Sequence, residues 1–176
     1  MKVLNLFGGP GAGKSTTSAE VFALMKREGL RVELVTEYAK DLTWEARSGA
    51  LENQLYILAK QDHRLRRLTG QVDWIVTDSP LLLSLAYAEG GVFDRAWFKG
   101  TVVGAFNSYD NFNVQLLRDD RVAYERFGRS QELDEAHKLD MRIKKLMSDY
   151  SPPTRAWTFL GDDAAAKHIF EDVIEG

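Results

Sequence analysis

The stretch Leu6–Thr17, LFGGPGAGKSTT, holds the residues best suited to chemistry in this chain. Gly8, four residues, then Gly13, Lys14 and Ser15 satisfy the spacing G-x-x-x-x-G-K-[ST] in full. Glycine lets successive backbone N–H groups turn inward on an anion, and a helix starting at the end of such a loop adds its partial positive charge. The spacing predicts a phosphate cradle made by Gly8, Gly9, Gly11, Ala12, Gly13, Lys14, Ser15 and Thr16. In it Lys14 would meet the β- and γ-phosphates of ATP as a catalytic charge, and the Ser15 hydroxyl would bind Mg²⁺. A glycine turn without a ligand is the bland alternative. The apolar run KVLNLF before the loop and the helical spacing of STTSAEVFALMKREG after it, ending at Gly29, weigh against that.

Further polar residues fall where apolar runs end. The run WIVTDSP closes on Asp78, a candidate Mg²⁺ ligand held directly or through water, and on Ser79, a candidate cap for a helix beginning at Pro80. The run LVTEYAKDLTWE releases Glu37 beside the phosphate loop, where a carboxylate could take the proton of an attacking hydroxyl or bind the acceptor. Tyr38 and Trp44 follow it and could flank a planar base, although aromatic residues at such positions are commonly core. On the next helical stretch Gln54 could hydrogen-bond a nucleobase, and Lys60, His63, Arg64, Arg66 and Arg67 form a basic cluster that is a solvated face or a contact for an acidic acceptor. Gln61 is a further polar position on the same stretch. Arg118, Arg121, Arg126 and Arg129 crowd a segment broken by Gly128. Arginines on a flap over residues 118–131 would stabilise a transferring phosphoryl group, with Arg126 and Arg129 the catalytic candidates. The same segment could instead be a loop salt-bridged by Asp119, Asp120 and Glu125.

These residues need a frame. RVELVT, VDWIVTD, FNVQLL and RAWTFL read as four further short strands after KVLNLF. Helical spacing covers Glu52–Leu68, Leu81–Ala88, Phe93–Phe106, Gln131–Met147 and Ala164–Ile174. Alternation of this kind predicts an α/β domain with a parallel sheet covered on both faces and ligands at the carboxyl ends of the strands. With no linker, repeat or low-complexity tract, residues 1–176 read as a single domain.

Taken in order, the phosphate loop, Glu37 closing the second strand, Gln54 on the next helix, Asp78-Ser79 closing the third strand and the arginines Arg121, Arg126 and Arg129 resemble the P-loop kinases of nucleosides and nucleotides. The pattern is similar to deoxynucleoside kinases and ribosylnicotinamide kinases, and also to small P-loop kinases or ATPases of bacteriophage genomes, some of which phosphorylate hydroxymethylated pyrimidines within DNA. The resemblance implies a three-layer P-loop NTPase fold with a five-stranded parallel sheet, helices on both faces and a lid. It implies a Mg-ATP-dependent kinase acting on a hydroxyl, with Glu37, Tyr38, Gln54, Arg64 and Asp78 at the acceptor. One departure stands out. Deoxynucleoside kinases usually carry Glu-Arg-Ser where this chain has Thr77-Asp78-Ser79, so the clamping arginine is missing there, and either its task passes to Arg126 or Arg129 or the acceptor differs.

Composition narrows the alternatives. The chain has no cysteine, which excludes disulfide scaffolds, thiolate metal sites and a cysteine nucleophile. No segment is apolar enough to span a membrane and the N-terminus runs straight into a strand, so the cytoplasm is expected, that of the host if the source is a phage. The net charge of −3 disfavours a wide grip on duplex DNA, while the cluster from Lys60 to Arg67 keeps DNA open as an acceptor. A homodimer is compatible with this reading. A regulatory ATPase is the rival without an acceptor. A GTP switch would show Asn-Lys-x-Asp after a later strand, where this chain has RDDR. An AAA-type motor would need a helical lid domain and sensors, for which 176 residues leave no room.

Overall fold

The computed structural model describes residues 1–119, 121 and 133–176. Five strands, β1 (Lys2–Phe7), β2 (Val32–Val35), β3 (Trp74–Thr77), β4 (Asp110–Leu117) and β5 (Ala156–Leu160), form one sheet in the order β2-β3-β1-β4-β5. Every pairing is parallel. The helices are α1 (Lys14–Arg27), α2 (Tyr38–Trp44), α3 (Ser48–Leu51), α4 (Gln54–Arg66), α5 (Leu83–Ala88), α6 (Ala96–Phe106), α7 (Leu133–Tyr150) and α8 (Ala165–Ile169), the last continuing as π-helical turns over Phe170–Glu175.

β1 shows why the sheet is buried on both faces. Its side chains alternate. Val3 and Phe7 join a core with Leu58, Leu65, Phe98 and Ile143 from α4, α6 and α7, while Leu4 and Leu6 join Val21, Met25 and Ile169 from α1 and α8. Asn5 is the polar exception, and its Nδ2 donates to Asn113 Oδ1 (3.0 Å) and Asn111 Oδ1 (2.9 Å) on the adjacent β4. Burying a polar side chain in a central strand is tolerable because these bonds replace water.

The strand order creates a crevice. From β1 the chain leaves through α1 to the edge strand β2. From β3 it crosses in the opposite direction, past β1, to β4. Ligands in open α/β sheets bind where that direction reverses, at the carboxyl ends of the two strands that part. Here those ends are Phe7, entering the glycine loop, and Thr77, followed by Asp78.

Most elements fall where hydrophobic spacing places them. α1 ends as expected at Gly29, whose φ of 76° is left-handed; Gly29 N donates to Lys26 O (3.1 Å) and Leu30 N to Met25 O (3.0 Å), the paired bonds of a Schellman stop. α2 and α3 are not among the expected helices. The helix expected from Pro80 begins at Leu83 with no side-chain cap, so the capping role for Asp78 or Ser79 is not realised. Asp78 bonds Ser15 instead, and Ser79 N donates to Thr77 Oγ1 at 3.1 Å. Among the described residues no helix is long and apolar enough to cross a membrane. The expected lid residues Arg126 and Arg129 lie outside the described residues.

Candidate active site

The loop between β1 and α1 has the backbone that its glycines allow. Gly11 and Gly13 take φ of 83° and 82°, left-handed values that a side chain would strain. Gly13 is the N-cap of α1, and Lys14 starts its first turn. Lys14 Nζ donates to Gly9 O at 3.0 Å, which folds the lysine back across the loop. Pro10, Gly11, Gly13, Lys14, Ser15 and Thr16 line a cavity of about 370 Å³, while Gly8, Gly9 and Ala12 are buried behind the loop. Gly161, just after β5, backs the loop closely: its N donates to Leu117 O at 2.8 Å, and a Cβ added there would run into Ala12 O.

Asp78 brings the second strand end to the first. Ser15 Oγ donates to Asp78 Oδ2 at 2.7 Å. Asp78 is 3 % exposed, and its Oδ1 is buried with no hydrogen-bond partner among the described residues. A buried carboxylate oxygen left open this way is costly unless a cation completes it. The Ser15 hydroxyl and the open Asp78 oxygen therefore fit Mg²⁺. Among the described residues no group of three or more acidic, histidine or cysteine side chains could hold a metal alone.

Glu37 closes the other wall. It is the N-cap of α2, half-buried, and lines the same cavity. Burial raises its carboxyl pKa; the Lys14 charge pulls it down and the Asp78 charge pushes it up. Its backbone is held by a side chain that sequence reasoning left without a role. Gln61, 3 % exposed, accepts from Tyr38 N through Oε1 (2.9 Å) and donates to Thr36 O through Nε2 (3.3 Å). The two peptide groups flanking Glu37 are thus bonded by one amide. The signal was present: Gln61 sits four residues from both Ile57 and Leu65, a polar side chain on the buried stripe of α4.

The cavity runs on past Glu37 to Thr43, Gln54, Gln61, Leu83 and Tyr87. Gln54 faces it while its Nε2 donates to Leu51 O at 3.1 Å. Tyr38 and Arg64 do not line it. The Tyr38 hydroxyl meets the Tyr56 hydroxyl at 2.8 Å, and Arg64 pairs with Asp41, donates to Thr36 O at 3.1 Å and covers the Tyr38 ring at 5.0 Å. Of the remaining arginines, Arg118 binds Pro10 O and Asp140, and Arg121 pairs with Asp119. The latter pair is the salt-bridged arrangement set against the lid.

A parallel α/β sheet with a glycine phosphate loop at its direction switch, and with serine and aspartate meeting beside it, defines a P-loop NTPase domain: a nucleotide-binding unit of the class that hydrolyses NTP or transfers its phosphoryl group. A family model described as AAA domain matches residues 3–155, and the chain belongs to that family. Chain length sets an AAA-type motor aside in the sequence reading, yet the nucleotide-binding domain itself is of the AAA family. No curated protein matches the chain.

Proposed function

We propose that this protein is a Mg-ATP-dependent kinase that transfers the γ-phosphoryl group to a hydroxyl of a nucleoside- or nucleotide-like acceptor. The observation that carries the reading is one continuous cavity: phosphate loop at one end, Glu37 in its wall, and beyond it space lined by Gln54, Gln61, Leu83 and Tyr87. A simple ATPase needs only a water beside the γ-phosphate. Here the cavity extends past the carboxylate to Gln54, Leu83 and Tyr87, and that extension supports an acceptor beside the nucleotide.

In the proposed reaction the phosphate loop N–H groups and Lys14 hold the triphosphate and offset its charge. Ser15 and Asp78 would hold Mg²⁺, which when bound would supply charge neutralisation at the phosphates. The acceptor hydroxyl oxygen forms a bond to the γ-phosphorus. The bond from that phosphorus to the oxygen bridging the β-phosphate breaks, and ADP leaves. The hydroxyl proton passes to the Glu37 carboxylate. Gln54 and Tyr87 contact the body of the acceptor.

A second reading keeps this chemistry and places the hydroxyl within DNA. Trp44, 55 % exposed, follows cavity-lining Thr43 in sequence, and Lys60 lies 5.6 Å from the Tyr56 ring, so α2 and α4, which help to line the cavity, also carry aromatic and basic side chains. Against it, Asp41 and Asp62 neutralise Arg64 and Arg66. An acceptor screen with γ-labelled ATP tests both readings, offering nucleosides, nucleoside monophosphates and single- and double-stranded DNA with and without hydroxymethylated bases. Label on a free nucleoside or nucleotide supports the first reading, label on DNA the second, and label released only as inorganic phosphate contradicts both.

A further inference from the structure

The phosphate loop is also gripped from outside the cavity. Gly9 N donates to Asp140 Oδ1 at 2.7 Å. Asp140 Oδ2 accepts from an Arg118 guanidinium nitrogen at 2.9 Å, and a second guanidinium nitrogen donates to Pro10 O at 2.6 Å. The bonds close a ring through Gly9, Asp140, Arg118 and Pro10. Its side chains come from distant parts of the chain: Arg118 follows β4 and Asp140 lies on α7. Arg118 is deeply placed, with its side chain 9 % exposed, and Asp140 at 28 % is mostly covered. Neither lines the cavity.

The ring explains a glycine that the loop's dihedral angles do not. Gly9 has no positive φ, yet a Cβ there would collide with Asp140 Oδ1 and approach Ala136 O at 3.2 Å. Glycine is needed so that the carboxylate can reach the Gly9 N–H. Charge is balanced as well: the Asp140 carboxylate lies behind a site for a polyanion, and Arg118 offsets it. A loop held in shape before the nucleotide arrives loses less freedom on binding, which strengthens binding without adding a contact to the ligand.

We infer that Asp140, paired with Arg118, is a positioning residue that holds the first half of the phosphate loop in its nucleotide-binding shape. The inference rests on nucleotide binding by this loop and on nothing about the acceptor. Its test is the affinity of the full chain for a fluorescent, non-hydrolysable ATP analogue with Mg²⁺, measured well below each variant's Tm. Asp140→Ala removes two charge-assisted bonds and is expected to weaken binding about tenfold or more. Asp140→Asn keeps an acceptor for Gly9 N–H but turns its amide N–H₂ on Arg118, and should fall between wild type and Asp140→Ala. Gly9→Ala should weaken binding strongly in the wild-type background and far less with Asp140→Gly, because the clash it creates is then gone. If charge alone mattered, removing the carboxylate would tighten binding. Equal or tighter binding by both Asp140→Ala and Asp140→Asn would therefore overturn the inference, and so would additive losses for Gly9→Ala and Asp140→Gly. Lys14→Ala serves as the reference. A wild type that binds no ATP analogue defeats the nucleotide reading itself. If wild type binds, Lys14→Ala does not and the Asp140 variants match wild type, only the positioning role fails.

Discussion

The two oxygens of Asp78 are used differently: one takes the Ser15 hydroxyl, and the other is buried with no hydrogen-bond partner among the described residues. In the proposed reaction Lys14 and Glu37 act beside them, and each makes a prediction. Lys14 carries charge rather than packing. Lys14→Ala should abolish phosphoryl transfer while thermal unfolding stays close to wild type; full turnover by a folded Lys14→Ala protein would contradict the assignment. Glu37 has its pKa raised by burial. The folded protein therefore keeps a proton that the unfolded chain gives up. The stability from this group is full below the ordinary glutamate range and is lost as pH rises through the folded value. Glu37→Gln cannot ionise, so its Tm should gain on wild type as pH rises above the ordinary glutamate range. A Tm difference that does not change with pH would show that the carboxyl is not held in a burying environment. As a base Glu37 must be deprotonated, so the acid limb of the kcat profile should lie above the ordinary carboxylate range.

Elements decide whether those residues meet. α4 does so through Gln61, whose amide spans the peptide groups on either side of Glu37. Gln61→Ala would leave the Tyr38 N–H without its partner, a loss of about 1–3 kcal/mol when such a group stays buried. It should lower kcat while leaving affinity for the ATP analogue near wild type. A variant with unchanged kcat would show that Glu37 is positioned by other contacts. Much of this scale was legible in the sequence. All five strands and α1 fall close to their apolar runs, because a sheet covered on both faces demands near-continuous hydrophobic stretches. α2 and α3 were not legible: they are only seven and four residues long, too short to show a helical period. Base-flanking and core were both open for the aromatic residues after Glu37; Tyr38 meets Tyr56 across helices, a pairing that no local pattern announces. The ring through Asp140 was hidden for the same reason, since Asp140 is 131 residues from Gly9.

At the scale of the whole molecule, the sheet order and the cavity carry the argument together. Placing β3 directly beside β1 puts Asp78 next to the phosphate loop, and the edge strand β2 delivers Glu37 across from it. The phosphate loop and Glu37 thereby line a single cavity, with Asp78 bonded to Ser15 beside it. The net charge of −3 suits a small acceptor better than a long polyanion. The central claim is that Glu37 directs the γ-phosphoryl group to a hydroxyl rather than to water. The measurement that tests it most directly is the fate of γ-labelled phosphate in wild type and Glu37→Gln, with the acceptor that the screen identifies. The account predicts acceptor-bound label in wild type. In Glu37→Gln it predicts a kcat lower by about 10²–10⁴-fold with affinity for the ATP analogue within a few-fold of wild type. Label appearing only as inorganic phosphate, or transfer at the wild-type rate by Glu37→Gln, would contradict it.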